Sequence, residues 1–316
     1  MHAATFFDGT GWREGVVELA DGRVRLRSGS PSALPRLDGV VLGGFTDHHV
    51  HLQLVDPAGL AGSRLGRVVD LGGNPDELRR TALPGVRIDV AGAFLTAPGG
   101  YPSDRDWAPE GSVREIADAA SAADAVAEMV DGGASCIKVT SNSTAGPVFS
   151  DELLRTIVAL AADRSLAVVA HAEGAGEAER VVRAGAAVLA HAPFTQRLDD
   201  EEIARQAAAA SWISTLAIHA DDQRAVAIDN VRRFHAAGGT VRYGTDMGNG
   251  PTPVDLNPAE ITALRDAGLD DDALLRALAP VDPLTPSAAL LLVPGGSPAT
   301  ADPLSARPLT AADLKV

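Results

Sequence analysis

The sequence predicts an α/β protein: a (β/α)8 TIM-type barrel with a small accessory β domain assembled from the two chain termini. Three observations carry this expectation. From residue 43 onward, eight short apolar runs alternate with Ala-, Asp- and Glu-rich stretches of helical period. Several of those runs close on a histidine or an aspartate, at the strand ends where barrels carry their active sites. The 316 residues also fit one barrel of roughly 250 residues plus an accessory piece. A doubly wound open sheet is the alternative, but no G-x-G-x-x-G follows a strand.

Residues 1–42 read as short strands and turns and form the N-terminal part of the small β domain. Within GVVELADGRVRLRSG, the Asp21-Gly22 step is a hairpin signal. Residues 43–283 form the expected barrel. Its strands are the runs VVLGGFTDHHVHL, RVVDLGG, GVRIDVAG, ASCIKVT, LAVVAHAEG, AAVLAHAPF, SWISTLAIHA and TVRYGTDMG. Between them lie helical stretches such as SVREIADAASAADAVAEMVDGG and DELLRTIVALAADRS, with acidic starts and Gly or Arg-Ser stops. Residues 284–316 turn to Pro, Ser, Ala and Leu, and read as one or two strands followed by a loose tail.

Composition narrows the function. Twenty-seven Lys+Arg against forty-two Asp+Glu leave a net charge of -15, which argues against a nucleic-acid partner and against an anionic membrane surface. Aromatic residues at 4% offer no stacking platform for nucleobases, so the core falls to Ala, Val, Leu and Ile. The single cysteine, Cys136, can form neither an intrachain disulfide nor a thiolate zinc cluster. The opening MHAATFFDGTGWREG lacks the pattern of a secretory signal, and the stretch Ala207–Ile218 is too short to span a bilayer. The expectation is a cytoplasmic protein whose partner is a small-molecule substrate, with homo-oligomerisation left open.

The chemistry concentrates in histidines at strand ends. Period-2 alternation places His49 and His51 on one face of the first strand, where two imidazoles can chelate one ion, with Val50 opposite. The fifth and sixth strands end at His171 and His191, each followed by Ala, and the eighth ends at Asp246. A lone strand-end histidine is usually a hydrogen-bonded rim residue, whereas this joint placement points to a metal. His48 faces away from the pair, and His2 sits in a terminus expected to be mobile. Alternation turns Cys136, Lys138 and Thr140 inward. An inward lysine beside metal ions is costly as an ammonium. It is either half of a buried ion pair or has reacted with carbon dioxide to give a two-oxygen carbamate. Arg242 faces inward and deeper, with Asp70 as its expected ion-pair partner.

The stretch Gly44-Phe45-Thr46-Asp47-His48-His49-Val50-His51-Leu52 resembles the G-F-[IVT]-D-x-H-x-H-L signature of the metal-dependent amidohydrolase superfamily. Lys138, His171, His191 and Asp246 follow in the superfamily's order. The RVVDLGG, APGGYP, IKV and GTD segments look most like its imidazolonepropionase/prolidase-like branch, and the resemblance covers residues 7–283. It implies a distorted barrel holding two divalent ions, zinc first among them. His49, His51 and Asp246 would hold one ion and His171 and His191 the other, bridged by carboxylated Lys138 and a hydroxide. Two departures stand out. Of the returning C-terminal strand segment only LLLVPGG and ADPL remain, and Tyr101 stands where members often carry histidine.

The implied activity is hydrolysis of an amide or cyclic amide, dipeptides and N-acyl amino acids included. A bridging hydroxide attacks the carbonyl and Asp246 passes its proton to the leaving group. A lactone or carboxylic ester is the alternative bond, and a metal-binding barrel without turnover the alternative class. Tyr101 and His219, on loops at the same face, are the candidate substrate contacts.

Overall fold

The first strands carry Val, Leu and Phe side chains and bury most of them. They are β1 (His2–Phe7), β2 (Trp12–Ala20), β3 (Arg23–Ser28) and β4 (Arg36–Gly43) in the computed structural model, which describes residues 1–29, 33–286 and 288–315. Asp21 and Gly22 both adopt positive φ, 53° and 74°, and turn the β2–β3 hairpin as expected. His2 is buried within β1 rather than loose at the terminus.

The central region interleaves strands and helices. In chain order it contains β5 (Phe45–Val50), β6 (Leu65–Asp70), α1 (Pro75–Leu78), β7 (Arg87–Val90), β8 (Phe94–Thr96) and β9 (Val113–Glu115). There follow α2 (Ala119–Asp131), β10 (Cys136–Asn142), α3 (Asp151–Ala162), β11 (Ala167–Glu173), α4 (Glu177–Arg183) and β12 (Val188–Leu189). The region ends with α5 (Asp200–Ala209), β13 (Ser211–Ile213), α6 (Asp221–Ala236), β14 (Thr240–Arg242), α7 (Pro258–Asp266) and α8 (Asp271–Leu278). Acidic and hydroxyl side chains start the helices: Asp118 and Ser121 form a capping box on α2, and Ser150 caps α3. On α3, Leu154, Ile157 and Ala161 recur at helical spacing and are all buried.

The α/β class holds, and the strands pair in parallel. The pairing records a seven-stranded sheet, in the order β14-β13-β12-β11-β10-β8-β9, and a three-stranded sheet, β5-β6-β7, rather than one continuous eight-stranded sheet. The third apolar run is where they separate, because it breaks between β7 and β8. Gly92 turns there at φ 81°, and a Cβ would strike the sulfur of Met129. The stretch before α2 forms β9 instead of helix. At the other seam, the parallel bridge Val50–Met247 and the bond from His51 N to Met247 O (2.7 Å) join β5 to the segment after β14.

The C-terminal segment forms β15 (Leu290–Pro294) and β16 (Arg307–Pro308) and continues through short helical turns at Pro303–Ser305 and Ala311–Leu314, more ordered than the expected tail. β15 runs antiparallel to β4, giving a six-stranded terminal sheet ordered β16-β15-β4-β1-β2-β3. Where β4 hands over to β5, backbone passes against backbone. A Cβ on Gly44 would lie 2.6 Å from the Cα and N of Gly66, so this crossing requires glycine.

Asp47 pins β5 from inside. Its carboxylate accepts from His49 N (3.0 Å), Thr245 N (3.1 Å) and Thr245 Oγ1 (2.6 Å) and is fully buried. Thr245→Val keeps the shape but removes the hydroxyl donor from this buried carboxylate. Urea denaturation should record a loss of about 1–3 kcal/mol of stability.

Candidate metal centre

β5 delivers His49 and His51 to one face with both rings anchored from behind. His49 Nδ1 lies 2.8 Å from Ala190 O and His51 Nδ1 lies 3.0 Å from Gly72 O. A carbonyl can only accept, so each Nδ1 carries the proton and donates it. In the neutral rings each Nε2 therefore presents a lone pair. The two Nε2 atoms are 3.3 Å apart, and Asp246 Oδ1 lies 3.1 Å from the first and 3.0 Å from the second. Three lone pairs thus converge in a buried space, and with both rings neutral, among the described residues, Asp246 Oδ1 has no hydrogen-bond donor. Such a donor set fits a divalent cation. In its absence, one proton on His51 relieves the conflict.

Backbone strain holds the other donors. Asp246 sits at φ 54°, and its Oδ2 accepts from Asn249 Nδ2 (2.8 Å). Thr215, a β-branched residue at φ 43°, places its hydroxyl 2.8 Å from His191 Nδ1 and so orients that ring. Ligand atoms of His49, His191 and Asp246 lie within 4.8 Å of one another. His171 stands next in line, its ring centroid 4.9 Å from that of His191, with Nε2 3.2 Å from Glu173 Oε2. His48 turns its Nδ1 to Tyr243 O (2.9 Å), away from the cluster as expected.

Lys138 is buried beside these groups, and burial lowers its amine to about 8 against the pull of Asp246. Among the described residues no carboxylate forms an ion pair with it, so the buried-pair alternative lacks a partner. Arg242 likewise lacks one: Asp70 instead accepts from Leu52 N (2.7 Å) and Gly72 N (3.0 Å). Burial first, then Lys138, pushes His49 well below the ordinary histidine range, and burial together with His49 does the same to His191. For His51, burial pulls downward but the hydrogen bond and charge of Asp246 outweigh it, so its pKa rises. Burial pushes Asp246 up, yet the surrounding imidazoles bring its carboxyl well below its usual value.

A cavity of about 520 Å³ opens over this cluster, and every site residue expected from the sequence lines it, Tyr101 and His219 included. The Tyr101 ring lies 5.2 Å from His171, and His219 stacks on Phe194 at 4.1 Å. Glu173, Trp107 and Phe94 also line the cavity and were not expected. Glu173 was legible, since it stands two residues after His171 on the same strand face. Trp107 and Phe94 carry no such signal.

The chain matches no family model, and no curated protein is similar enough in sequence to match. Solved structures do match over nearly the whole chain. An amidohydrolase superposes with TM-score 0.69 at 20% identity, covering 94% of this chain and 92% of that one. The fold is that of the amidohydrolases. A Xaa-Pro dipeptidase with bound methionine aligns at TM-score 0.67 and 19% identity, covering 94% of both chains. Phenylurea hydrolase B aligns at 0.68 and 15%, covering 98% of this chain and 95% of its own. Among the described residues, no helix of this amidohydrolase fold is long and apolar enough to cross a membrane.

The opposed histidine shifts are measurable in metal-free protein by imidazole ¹⁵N NMR. His51 should keep its proton to higher pH than an ordinary histidine, while His49 and His191 should take one up only at lower pH than an ordinary histidine. The contribution of the His51–Asp246 pair should be complete below the unfolded histidine pKa. It should be lost as pH rises through the raised pKa of His51.

Proposed function

We propose that the protein is a binuclear-metal hydrolase of amide or cyclic amide bonds, working at the open end of a distorted (β/α)8 barrel. One observation carries the reading: the lone pairs of His49, His51 and Asp246 converge in a buried space that also receives His191. Among hydrogen-bonding groups alone, that arrangement is unfavourable. The neighbouring fold supports the bond class, since one neighbour bears the name of a dipeptidase and another that of a phenylurea hydrolase.

His49, His51 and Asp246 would hold one ion and His171 and His191 the second, zinc being the best fit to this nitrogen and oxygen set. Divalent ions held there supply a water acidic enough to act as nucleophile near neutral pH and polarise the scissile carbonyl. Lys138, as its carbamate, would offer two oxygens between the ions. An amine lowered to about 8 keeps an appreciable neutral fraction for reaction with carbon dioxide. Asp246 takes the proton from the attacking water and returns it to the leaving nitrogen, with Asn249 holding its second oxygen in place. Tyr101 and His219 face the substrate from the cavity walls. Residues 1–42 and 284–316 form the accessory β domain in this reading.

Asp246→Asn preserves shape and one metal-binding oxygen but removes the proton acceptor. Steady-state assays on amide substrates should show a fall of about 10²–10⁴-fold in turnover, with much of the metal retained by elemental analysis.

Lys138→Ala should lose at least one of two bound ions and most activity. Added acetate or formate should restore part of both, because a small carboxylate reproduces the bridging oxygens. A lysine serving only as a buried cation would show no such rescue.

A further inference from the structure

The cavity walls have a charge pattern that the hydrolytic reading does not use. Among the described lining residues there is no arginine, and Lys138 is the one lysine, enclosed at the cavity floor. The nearest arginines already have partners. Arg105 packs over the Tyr101 ring and pairs with Asp104 at 3.3 Å, and Arg224 donates to His219 O at 2.8 Å. Glu173, by contrast, lines the cavity with its side chain 26% exposed. Its Oε2 accepts from Asn142 Nδ2 (2.7 Å) and faces His171 Nε2 (3.2 Å), and among the described residues no lysine or arginine pairs with it.

Next to His171 stands an aromatic wall. Tyr101, 5.2 Å from His171, is followed by Trp107 at 6.0 Å and then Phe94 at 6.1 Å. Tyr101 and Glu173 therefore flank the same histidine of the cluster. A carboxylate next to aromatic faces is a receptor for an alkylammonium, attracted by the charge and by the ring quadrupoles. A substrate carboxylate in that place would face the carboxylate of Glu173, and like charges brought together at a partly desolvated site repel.

We propose that this cavity selects amides or esters that bear an ammonium group within a few bonds of the scissile carbonyl and lack a free carboxylate. The substrate class rests on the hydrolytic reading; the ammonium site itself does not.

The test compares three amides in metal-loaded protein near neutral pH: phenylalaninamide, 3-phenylpropanamide and 2-carbamoyl-3-phenylpropanoate. They differ only in carrying ammonium, hydrogen or carboxylate beside the carbonyl. The expected order of kcat/KM is ammonium, neutral, carboxylate, with an advantage of about 10-fold at the first step. Binding is measured separately by calorimetry with phenethylammonium and 2-phenylethanol, which contain no hydrolysable bond. The ammonium ligand should bind about 10-fold more tightly, and Glu173→Gln should bring the ratio toward one. Trp107→Leu, at a more exposed position, should narrow the same ratio and covers the case in which Glu173→Gln does not fold. Equal binding of the two ligands, or a preference that survives Glu173→Gln, overturns the proposal. Turnover that is best on the carboxylate amide also overturns it and leaves hydrolysis standing. An intact ammonium preference without turnover of any amide overturns the hydrolytic reading and upholds the ammonium site.

Discussion

Two backbone carbonyls, Ala190 O and Gly72 O, determine which nitrogen of His49 and His51 carries a proton, and much of the site follows from that constraint. With both Nδ1 positions committed, both Nε2 lone pairs turn toward Asp246 Oδ1 at the buried floor of the cavity. Acceptors facing acceptors at about 3 Å in a low dielectric are stable only around a positive charge. The backbone thus orients three donors in a way that a cation would fit, with second-layer carbonyls fixing the direction of each ring.

Tight packing makes those carbonyls available. The glycine-against-glycine crossing of Gly44 and Gly66 lets β5 approach β6, and Gly72, at φ 148°, lies against the Phe94 ring where a Cβ would clash. Asp47 ties the start of the His49 segment to Thr245, one residue before Asp246. Strain at Thr215 and Asp246 is held by this framework, each such conformation costing about 1–3 kcal/mol. Local cost is tolerated where the surrounding sheets over-determine the position. Here it orients His191 directly, through the Thr215 hydroxyl, and presents Asp246 to the two imidazoles.

Around this rigid floor the cavity wall is more variable in chemistry. Histidines and Asp246 form the floor, while Glu173, Tyr101, Trp107 and Phe94 form a wall with acidic and aromatic character. Floor and wall meet at His171, which touches Glu173 on one side and neighbours His191 on the other. In the proposed reading catalysis and selection are therefore adjacent, and a substituent held at the wall would be positioned relative to the floor by a single side chain. Proximity of that kind is how remote binding energy is converted into orientation.

Period and spacing alone determined a great deal. The alternation of apolar runs with helical stretches set the α/β class, and period-2 alternation put His49 with His51 and turned Lys138 inward. Those inferences rest on local geometry, which a sequence carries directly. The splitting of the strands into two parallel sheets around Gly92 was not legible, because strand pairing is decided between segments remote in sequence, as is the contact of Gly92 with Met129, thirty-seven residues later. His2 and the C-terminal strand gained order only by pairing with other strands, His2 with Val17 of β2 and β15 with β4. The tautomers of His49 and His51 were equally hidden, since they hang on the carbonyls of Ala190 and Gly72, remote in sequence and made neighbours by packing. The aromatic wall has the same origin: Phe94 opens the three-residue β8, and Tyr101 and Trp107 sit in the turns after it, where no period specifies direction. Local pattern determines which faces side chains take, and only long-range contact decides what those faces meet.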